Sequence, residues 1–165
     1  LLEDQALQAR CGTFVTLKIG NQLRGCIGSL TASAPMVTGV RDNALNAAFH
    51  DPRFSPLQEH EFPGLDIHVS VLGSPEPVEF SSEQELLSVI RPGVDGLILQ
   101  DSAARGTFLP SVWESLPDPA MFLAHLKLKA GLPVDHWSDG LRIWRYTTQS
   151  FGKAAREIPG EMAAT

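Results

Sequence analysis

The chain has 165 residues, and its 19 acidic side chains outnumber 13 lysines and arginines, so its formal charge at pH 7 is −6. A chain of this length suffices for one compact domain, and its negative charge disfavours a nucleic-acid partner, because phosphate-backbone binding needs clustered cations. No apolar run approaches the roughly 20 residues of a membrane-spanning helix, and no secretory signal is recognisable. We therefore expect a cytoplasmic protein without membrane association. The first residues, Leu1 and Leu2, are compatible with a missing N-terminal segment.

The strand and helix patterns predict a mainly antiparallel α+β fold. β-branched and apolar residues predict strands at 13–19 and 22–28, and Gly20-Asn21 between them is typical of a two-residue hairpin turn. Pro35 marks the start of a helix that continues to about residue 49, because apolar side chains recur there at helical spacing. Further along the chain, we predict strands at 65–72, 94–99, 106–109 and 141–147, and helices at 83–90 and 118–131.

Proline and glycine positions predict two unequal lobes separated by a cleft. The segment 73–77, Gly-Ser-Pro-Glu-Pro, is the expected boundary between the lobes. The predicted large lobe comprises about 12–77 and 115–150, and the predicted small lobe comprises about 78–114. Residues 152–165 are expected to form a frayed tail.

The stretch Leu-Arg-Gly-Cys-Ile-Gly at 23–28 carries the strongest chemical signal. In a regular strand, Arg24 and Cys26 point to one face while Leu23 and Ile27 point to the other. A cation beside a thiol favours the reactive thiolate, and Gly25 and Gly28 allow a ligand or another backbone to come close. The alternative is a packed structural cysteine, since free cysteine is commonly buried.

The remaining candidates have both a chemical and a structural interpretation. Asn43 lies on a polar stripe of the predicted helix that either faces solvent or lines a cleft. His68 shares the polar face of its strand with other hydrophilic residues, and it is a candidate partner for the thiol only if strand order brings it near. Asp51 and Arg53 are expected to pair and to hold their proline-rich loop.

Metal and disulfide chemistry are not predicted. Cys11 and Cys26 are the only two cysteines, too few for a secreted disulfide scaffold, so we expect both to be reduced. The five histidines lack metal-ligand spacing, and the sequence indicates no resident cofactor.

Several motifs in order along the chain resemble the AMMECR-type domain, also called AmmeMemoRadiSam system protein A. They are GTFVTL at 12–17, LRGCIG at 23–28, NA at 43–44, AAF with DPRF at 47–54, VSVL at 69–72, RPG with DGLIL at 91–99, RGTFLP with VW at 105–113, and KAGL at 129–132. The resemblance extends from about Gly12 to Phe151. It implies an α+β fold of two lobes with residues 23–28 facing the cleft, and it implies a Memo-type protein and a radical S-adenosylmethionine protein as partners.

The resemblance does not imply a defined reaction. At the position of His68, the family pattern implies a glutamate, so a dyad of Cys26 and His68 is not expected to be a general mechanism. Our leading hypothesis is an enzyme or enzyme component that binds a small anion in the cleft. In this hypothesis Arg24 and Arg105 hold the anion, Asn43 orients it and Cys26 reacts. The rival hypothesis is a non-catalytic interaction module.

Overall fold

The computed structural model describes residues 4–158, which divide into two compact units. The first unit comprises the chain up to residue 72 together with the segment from residue 149 onward, and the second comprises Gly73–Thr148. Each unit contains a four-stranded antiparallel sheet with helices. The predicted α+β class is therefore confirmed.

The first unit has its strands in the order β2-β1-β3-β8. Its elements are α1 (Gln5–Gln8), β1 (Thr13–Ile19), β2 (Gln22–Ser29), α2 (Met36–Phe49), β3 (Leu65–Leu72) and β8 (Thr148–Ala154), with short 3₁₀ helices at Glu59–Gly64 and Ala155–Glu157. The predicted hairpin of β1 and β2 is confirmed. Gly20 and Asn21 both have positive φ, 55° and 65°, as a primed two-residue turn requires.

The core of the first unit lies between the sheet and α2. Val15 and Leu17 of β1 are almost fully buried there with Ala47 of α2. Gly25 makes this close packing possible, because a Cβ at that position would lie 2.1 Å from the Ala47 carbonyl oxygen. Helix and strand therefore touch through backbone atoms at the centre of the 23–28 motif.

The end of the chain differs from the predicted tail. Residues 152–154 belong to β8, and a 3₁₀ turn follows at Ala155–Glu157. Ala155 is buried in the core of the first unit, so this segment is held by packing rather than frayed. The rest of the predicted tail, residues 159–165, lies outside the described residues.

The second unit has its strands in the order β4-β7-β5-β6. Its elements are β4 (Glu76–Val78), α3 (Glu83–Val89), β5 (Gly96–Asp101), β6 (Ala104–Phe108), α4 (Pro119–Lys129) and β7 (Arg142–Tyr146), with a 3₁₀ helix at Pro110–Glu114. Asp118 caps α4 by accepting hydrogen bonds from the backbone N–H groups of Ala120 and Met121, as the Asp-Pro start predicts. In its core, the Trp113 and Phe122 rings stack 3.8 Å apart.

The division between the units differs from the predicted lobes in one large segment. Residues 115–148 were expected in the large lobe, but they belong to Gly73–Thr148. The reason is that β7 pairs with both β4 and β5, while Phe122, Leu123 and Leu126 of α4 join the same buried cluster as β5. No helix of the described residues is long and apolar enough to cross a membrane.

Candidate functional site

Cys26 lies in a row of side chains that crosses three strands of the first unit. It is opposite Thr16 of β1, and Thr16 is opposite His68 of β3. Directly opposed residues of neighbouring strands project to the same face of a sheet. The Thr16 hydroxyl lies 3.3 Å from the Cys26 sulfur and forms a hydrogen bond with it. The thiol is half-buried, so it has both a fixed polar neighbour and partial access to solvent.

A loop after α2 satisfies the backbone of Cys26 at the sheet edge. β2 is an edge strand, and an edge strand presents unpaired N–H and C=O groups. The Asp51 carboxylate accepts a hydrogen bond from the Cys26 N–H at 3.0 Å, and the Arg53 guanidinium donates to the Cys26 carbonyl at 3.3 Å. Asp51 and Arg53 also form an ion pair at 2.8 Å, so the pairing predicted from the sequence is confirmed.

The charges of this pair are unequally exposed. The Asp51 side chain is 2% exposed, whereas that of Arg53 is 55% exposed. Hydrogen bonding from Arg53 is the largest of the causes that hold the pKa of Asp51 well below its usual range. The pKa of Arg53 is raised, chiefly by its hydrogen bond to Asp51. Arg53 is therefore held mainly by the carboxylate, beside the backbone of Cys26.

Arg53 retains hydrogen-bonding capacity toward solvent. Its Nε and Nη2 atoms donate to Asp51, and Nη2 also donates to Cys26. Its Nη1 atom has no partner within residues 4–158. Since Nη1 carries two N–H donors, this exposed guanidinium can bind an acceptor next to Cys26.

Arg24 is already paired within the protein. Its Nε and Nη2 atoms donate to the two oxygens of Glu61 at 2.9 and 3.1 Å, and Nη2 also donates to the Ser55 carbonyl. The pair lowers the pKa of Glu61 to about 2, chiefly through the hydrogen bond from Arg24. The remaining nitrogen, Nη1, is buried without a partner in the described part of the chain. Only 13% of the Arg24 side chain is exposed. Its guanidinium is therefore used to bind Glu61 rather than a ligand from solvent.

The placement of Arg24 follows from an irregularity in the hairpin. Leu17 pairs with Gly25 and Lys18 pairs with Leu23, so the register shifts and Arg24 is an extra residue at a β-bulge. The strict alternation expected across 23–28 is therefore wrong at its first residues. Leu23 was expected to share a face with Ile27. It is instead opposite Lys18, so its side chain projects to the same face as Cys26.

The two glycines of the motif make room for protein atoms. Gly25 lies against Ala47, as described above. A Cβ at Gly28 would lie 2.2 Å from the ring of Phe14. The close approach expected at both positions is present, and a neighbouring backbone and a neighbouring ring occupy the space.

The other predicted site residues belong to three different elements. Asn43 of α2 donates from Nδ2 to the carbonyl and hydroxyl oxygens of Thr13, at 3.0 and 2.9 Å. His68 is exposed on β3, and its ring covers Gly152, where a Cβ would lie 2.6 Å from Nδ1. Arg105 is an exposed residue of β6 in the second unit.

Cys11 provides a second thiol in a different setting. It lines a small cavity of about 150 Å³ together with Thr13, Ser29 and Asn43. Burial raises the pKa of the Cys11 thiol. The described residues contain no group of three or more His, Cys, Asp or Glu side chains arranged to hold a metal ion.

Two functional candidates were not singled out from the sequence. Thr16 emerges only from the register of β1 and β2, which places it opposite Cys26. Arg53 was interpreted as a loop clamp, and its second contact, to the Cys26 carbonyl 27 residues away, depends on the folded loop. The only sequence signal for Arg53 was its short spacing from Asp51.

Comparison with known proteins agrees with this fold. The AMMECR1 family model matches residues 2–151. Relatives include proteins from Methanothermobacter thermautotrophicus, 42% identical over 148 residues covering 86% of this chain and 75% of the relative, and from Thermotoga maritima, 37% identical over 150 residues covering 90% and 81%. The crystal structure of an uncharacterised protein from Pyrococcus horikoshii is similar with a TM-score of 0.85 and 36% identity, covering 92% of this chain and 78% of that chain. The chain belongs to the AMMECR1 family.

Proposed function

We propose that this AMMECR1-family protein is an enzyme or enzyme component that binds a small anion beside Cys26 and uses the thiol as its reacting group. The observation that carries the proposal is the position of Arg53. Its guanidinium contacts the Cys26 carbonyl, its side chain is 55% exposed, and its Nη1 atom has no partner in the described structure.

The residues around the thiol support this chemistry. A thiolate is the nucleophilic form of cysteine, and a nearby fixed cation favours it. Asp51 fixes Arg53 through two nitrogens, so little side-chain entropy remains to be lost when Arg53 binds an anion. Thr16 fixes the position of the sulfur. Cation, thiol and hydroxyl are thus ordered before any ligand arrives, which reduces the cost of binding.

The anion-binding role that the sequence suggested for Arg24 passes to Arg53 in this proposal. The Nε and Nη2 atoms of Arg24 donate to Glu61, and its remaining nitrogen, Nη1, is buried. An arriving anion would have to displace a carboxylate that already makes two hydrogen bonds to Arg24. At Arg53, by contrast, Nη1 makes no hydrogen bond within the described residues, so an anion has no carboxylate to displace from that atom.

Thiol alkylation tests the proposal, because Cys11 is an internal control. Native protein is treated with iodoacetamide, and the modified fraction of each cysteine is followed over time by peptide mass spectrometry. We expect Cys26 to react faster than Cys11, whose pKa is raised by burial. The Cys26→Ser variant is expected to keep the wild-type circular dichroism spectrum. Cys26 that reacts only after unfolding would contradict the proposal and favour the interaction module.

The partners are proposed on family membership. We infer that the protein acts in the cytoplasm with a Memo-type protein and a radical S-adenosylmethionine protein, as the family resemblance implies. Co-expression of the three proteins with an affinity tag on this chain tests the association. Recovery of both partners after a high-salt wash is expected, and recovery of neither would contradict this part of the proposal while leaving the thiol experiment unaffected.

A further inference from the structure

The second unit contains a cavity that plays no part in the site around Cys26. It has a volume of about 470 Å³, within the range of small-molecule sites. We call it the aromatic pocket. It is lined by residues of the segment that starts in β4, of the loop before β7 and of β7 itself: Pro77, Val78, Glu79, Phe80, Ser81, Trp137, Ser138, Asp139, Leu141, Arg142, Ile143 and Trp144.

Two aromatic side chains form one wall of it. The rings of Phe80 and Trp137 lie 5.5 Å apart and are inclined by 59°, and both residues line the pocket. Phe80 also packs against the buried core of the second unit, which fixes this wall. This tilted pair leaves aromatic surface at the pocket, and the π face of an aromatic ring attracts cations.

The structure already contains a cation on one of these rings. The ammonium group of Lys127 lies 5.7 Å from the centre of the Trp137 ring. Lys127 is fully buried and pairs with Glu83 at 3.2 Å, so this contact is part of the core. Residue Trp137 is itself 36% exposed, so it remains reachable from solvent.

The charges of the pocket favour a cation. Glu79 and Asp139 both line it, and neither carboxylate has a hydrogen bond or an ion pair within the described residues. Arg142 is the lining cation, and it too lacks a partner there. Two free carboxylates against one guanidinium leave the pocket with a net negative charge, in a chain whose overall charge is −6.

We propose that the aromatic pocket binds an alkylated ammonium group. Aromatic faces bind such a group through cation–π attraction without needing hydrogen-bond donors, and carboxylates at the pocket supply long-range attraction. A plain ammonium ion loses more hydration on entering an aromatic site, whereas alkyl groups around the nitrogen gain contact with the rings. The group belongs either to a free small molecule or to a methylated lysine side chain of a peptide.

Choline and its uncharged carbon isostere, 3,3-dimethylbutan-1-ol, test the charge requirement with matched shapes. Binding is followed by the indole N–H signals of the three tryptophans in ¹H–¹⁵N NMR spectra. Trp113 is an internal control, because its indole N–H donates to the Asp95 carbonyl in the core. We expect choline to shift the signal of Trp137 and to leave Trp113 unchanged. Equal shifts with the neutral isostere, or no shift with choline and with both peptides described below, would overturn the proposal.

The source of the group is resolved by a second pair of probes. A short peptide containing trimethyllysine is compared with the same peptide containing unmodified lysine. Tighter binding of the trimethyllysine peptide than of choline assigns the pocket to a modified peptide, and tighter binding of choline assigns it to a free small molecule. Either result supports the alkylated ammonium group when the unmodified peptide binds more weakly than the trimethyllysine peptide or choline, and equal binding of the unmodified peptide would overturn the proposal.

Substitution of Glu79 and Asp139 tests whether the carboxylates of the aromatic pocket attract the ammonium group. The double variant Glu79→Gln with Asp139→Asn keeps the shape of the pocket, and we expect it to bind the preferred probe at least about fivefold more weakly. Glu114→Gln removes an exposed carboxylate outside the pocket and is the matched control with wild-type affinity. Wild-type affinity in the double variant, with an unchanged Trp113 signal, would overturn the proposal.

Discussion

Each unit contains a buried aspartate that pairs with a half-exposed arginine close by in the sequence. In the first unit, Asp51 pairs with Arg53, and in the second, Asp95 pairs with Arg91 at 2.7 Å. The exposures match closely: 2% and 0% for the aspartates, and 55% and 53% for the arginines. The same side-chain arrangement has therefore formed twice in one chain.

The two pairs differ in what else the aspartate and the arginine contact. Asp95 accepts a hydrogen bond from the backbone N–H of Arg91, its own partner, and its carbonyl accepts one from Trp113. Asp51 and Arg53 instead bind the N–H and carbonyl of Cys26. One pair thus stabilises a turn and the core, while the other also borders a thiol. An ion pair in itself indicates no function, and its additional contacts decide its role.

Removal of each aspartate is the strongest way to separate the two roles. Asp51→Ala leaves the Cys26 N–H without its acceptor, and Asp95→Ala does the same to the Arg91 N–H, at a cost of about 1 to 3 kcal/mol each. Urea unfolding should show both losses. Only Asp51→Ala should accelerate alkylation of Cys26 by iodoacetamide, since it frees Arg53 from its carboxylate. An equal acceleration in native Asp95→Ala would show that the pairs do not differ in this way.

Acid should weaken the ion pair of Arg24 and Glu61. The folded-state pKa of Glu61 is lowered from 4.5 to about 2 by its contacts, chiefly the hydrogen bond from Arg24. Stabilisation from a lowered carboxyl pKa is complete above the unfolded value and is lost as the pH falls through the folded value. We therefore expect the stability of the wild type to fall between about pH 4.5 and 2.

The matched variants are Glu61→Gln and Glu59→Gln. Glu59 lies on the same short helix and has no ion pair among the residues described. Melting temperatures measured across this pH range should fall less steeply for Glu61→Gln than for the wild type, and Glu59→Gln should follow the wild type. Parallel curves for all three proteins would show that the pair of Arg24 and Glu61 adds nothing to stability.

The smallest expected effect concerns Thr16. Thr16→Val keeps the shape of the side chain and removes the hydroxyl that bonds the Cys26 sulfur. We expect a stability change of no more than about 1 kcal/mol. Alkylation of Cys26 should change by about twofold, because the sulfur is less firmly positioned. A loss of alkylation altogether would mean that Thr16, rather than Arg53, governs the thiol.

Local sequence signals predicted the local parts of this structure. The Gly20-Asn21 turn and the cap at Asp118 were confirmed because their causes lie within a few residues. Asp51 and Arg53, two residues apart, were also expected to pair. The polar partner of Arg24 was not predicted, because Glu61 lies 37 residues away and reaches it only after the loop folds.

Long-range strand pairing limited the prediction of the site and of the units. The bulge at Arg24 depends on how β2 pairs with β1, and it places the Leu23 side chain on the face opposite to the expected one. Strand β8 is mostly exposed and shows no apolar alternation, so its pairing with β3 could not be inferred. The burial of Lys127 in α4, where it pairs with Glu83 44 residues away, likewise depends on the folded unit and has no local sequence signal.

The central claim is that Arg53 makes the Cys26 thiol a site for anions. Iodoacetate and iodoacetamide test it most directly, because the two reagents have nearly the same size and only the first is an anion. For each protein, the rate of iodoacetate relative to iodoacetamide at Cys26 is divided by the same ratio at Cys11. We expect this quotient to exceed one in the wild type and in Arg91→Gln, and to fall about two- to fivefold in Arg53→Gln. A quotient of one in the wild type, or equal quotients in the two arginine variants, would contradict the claim.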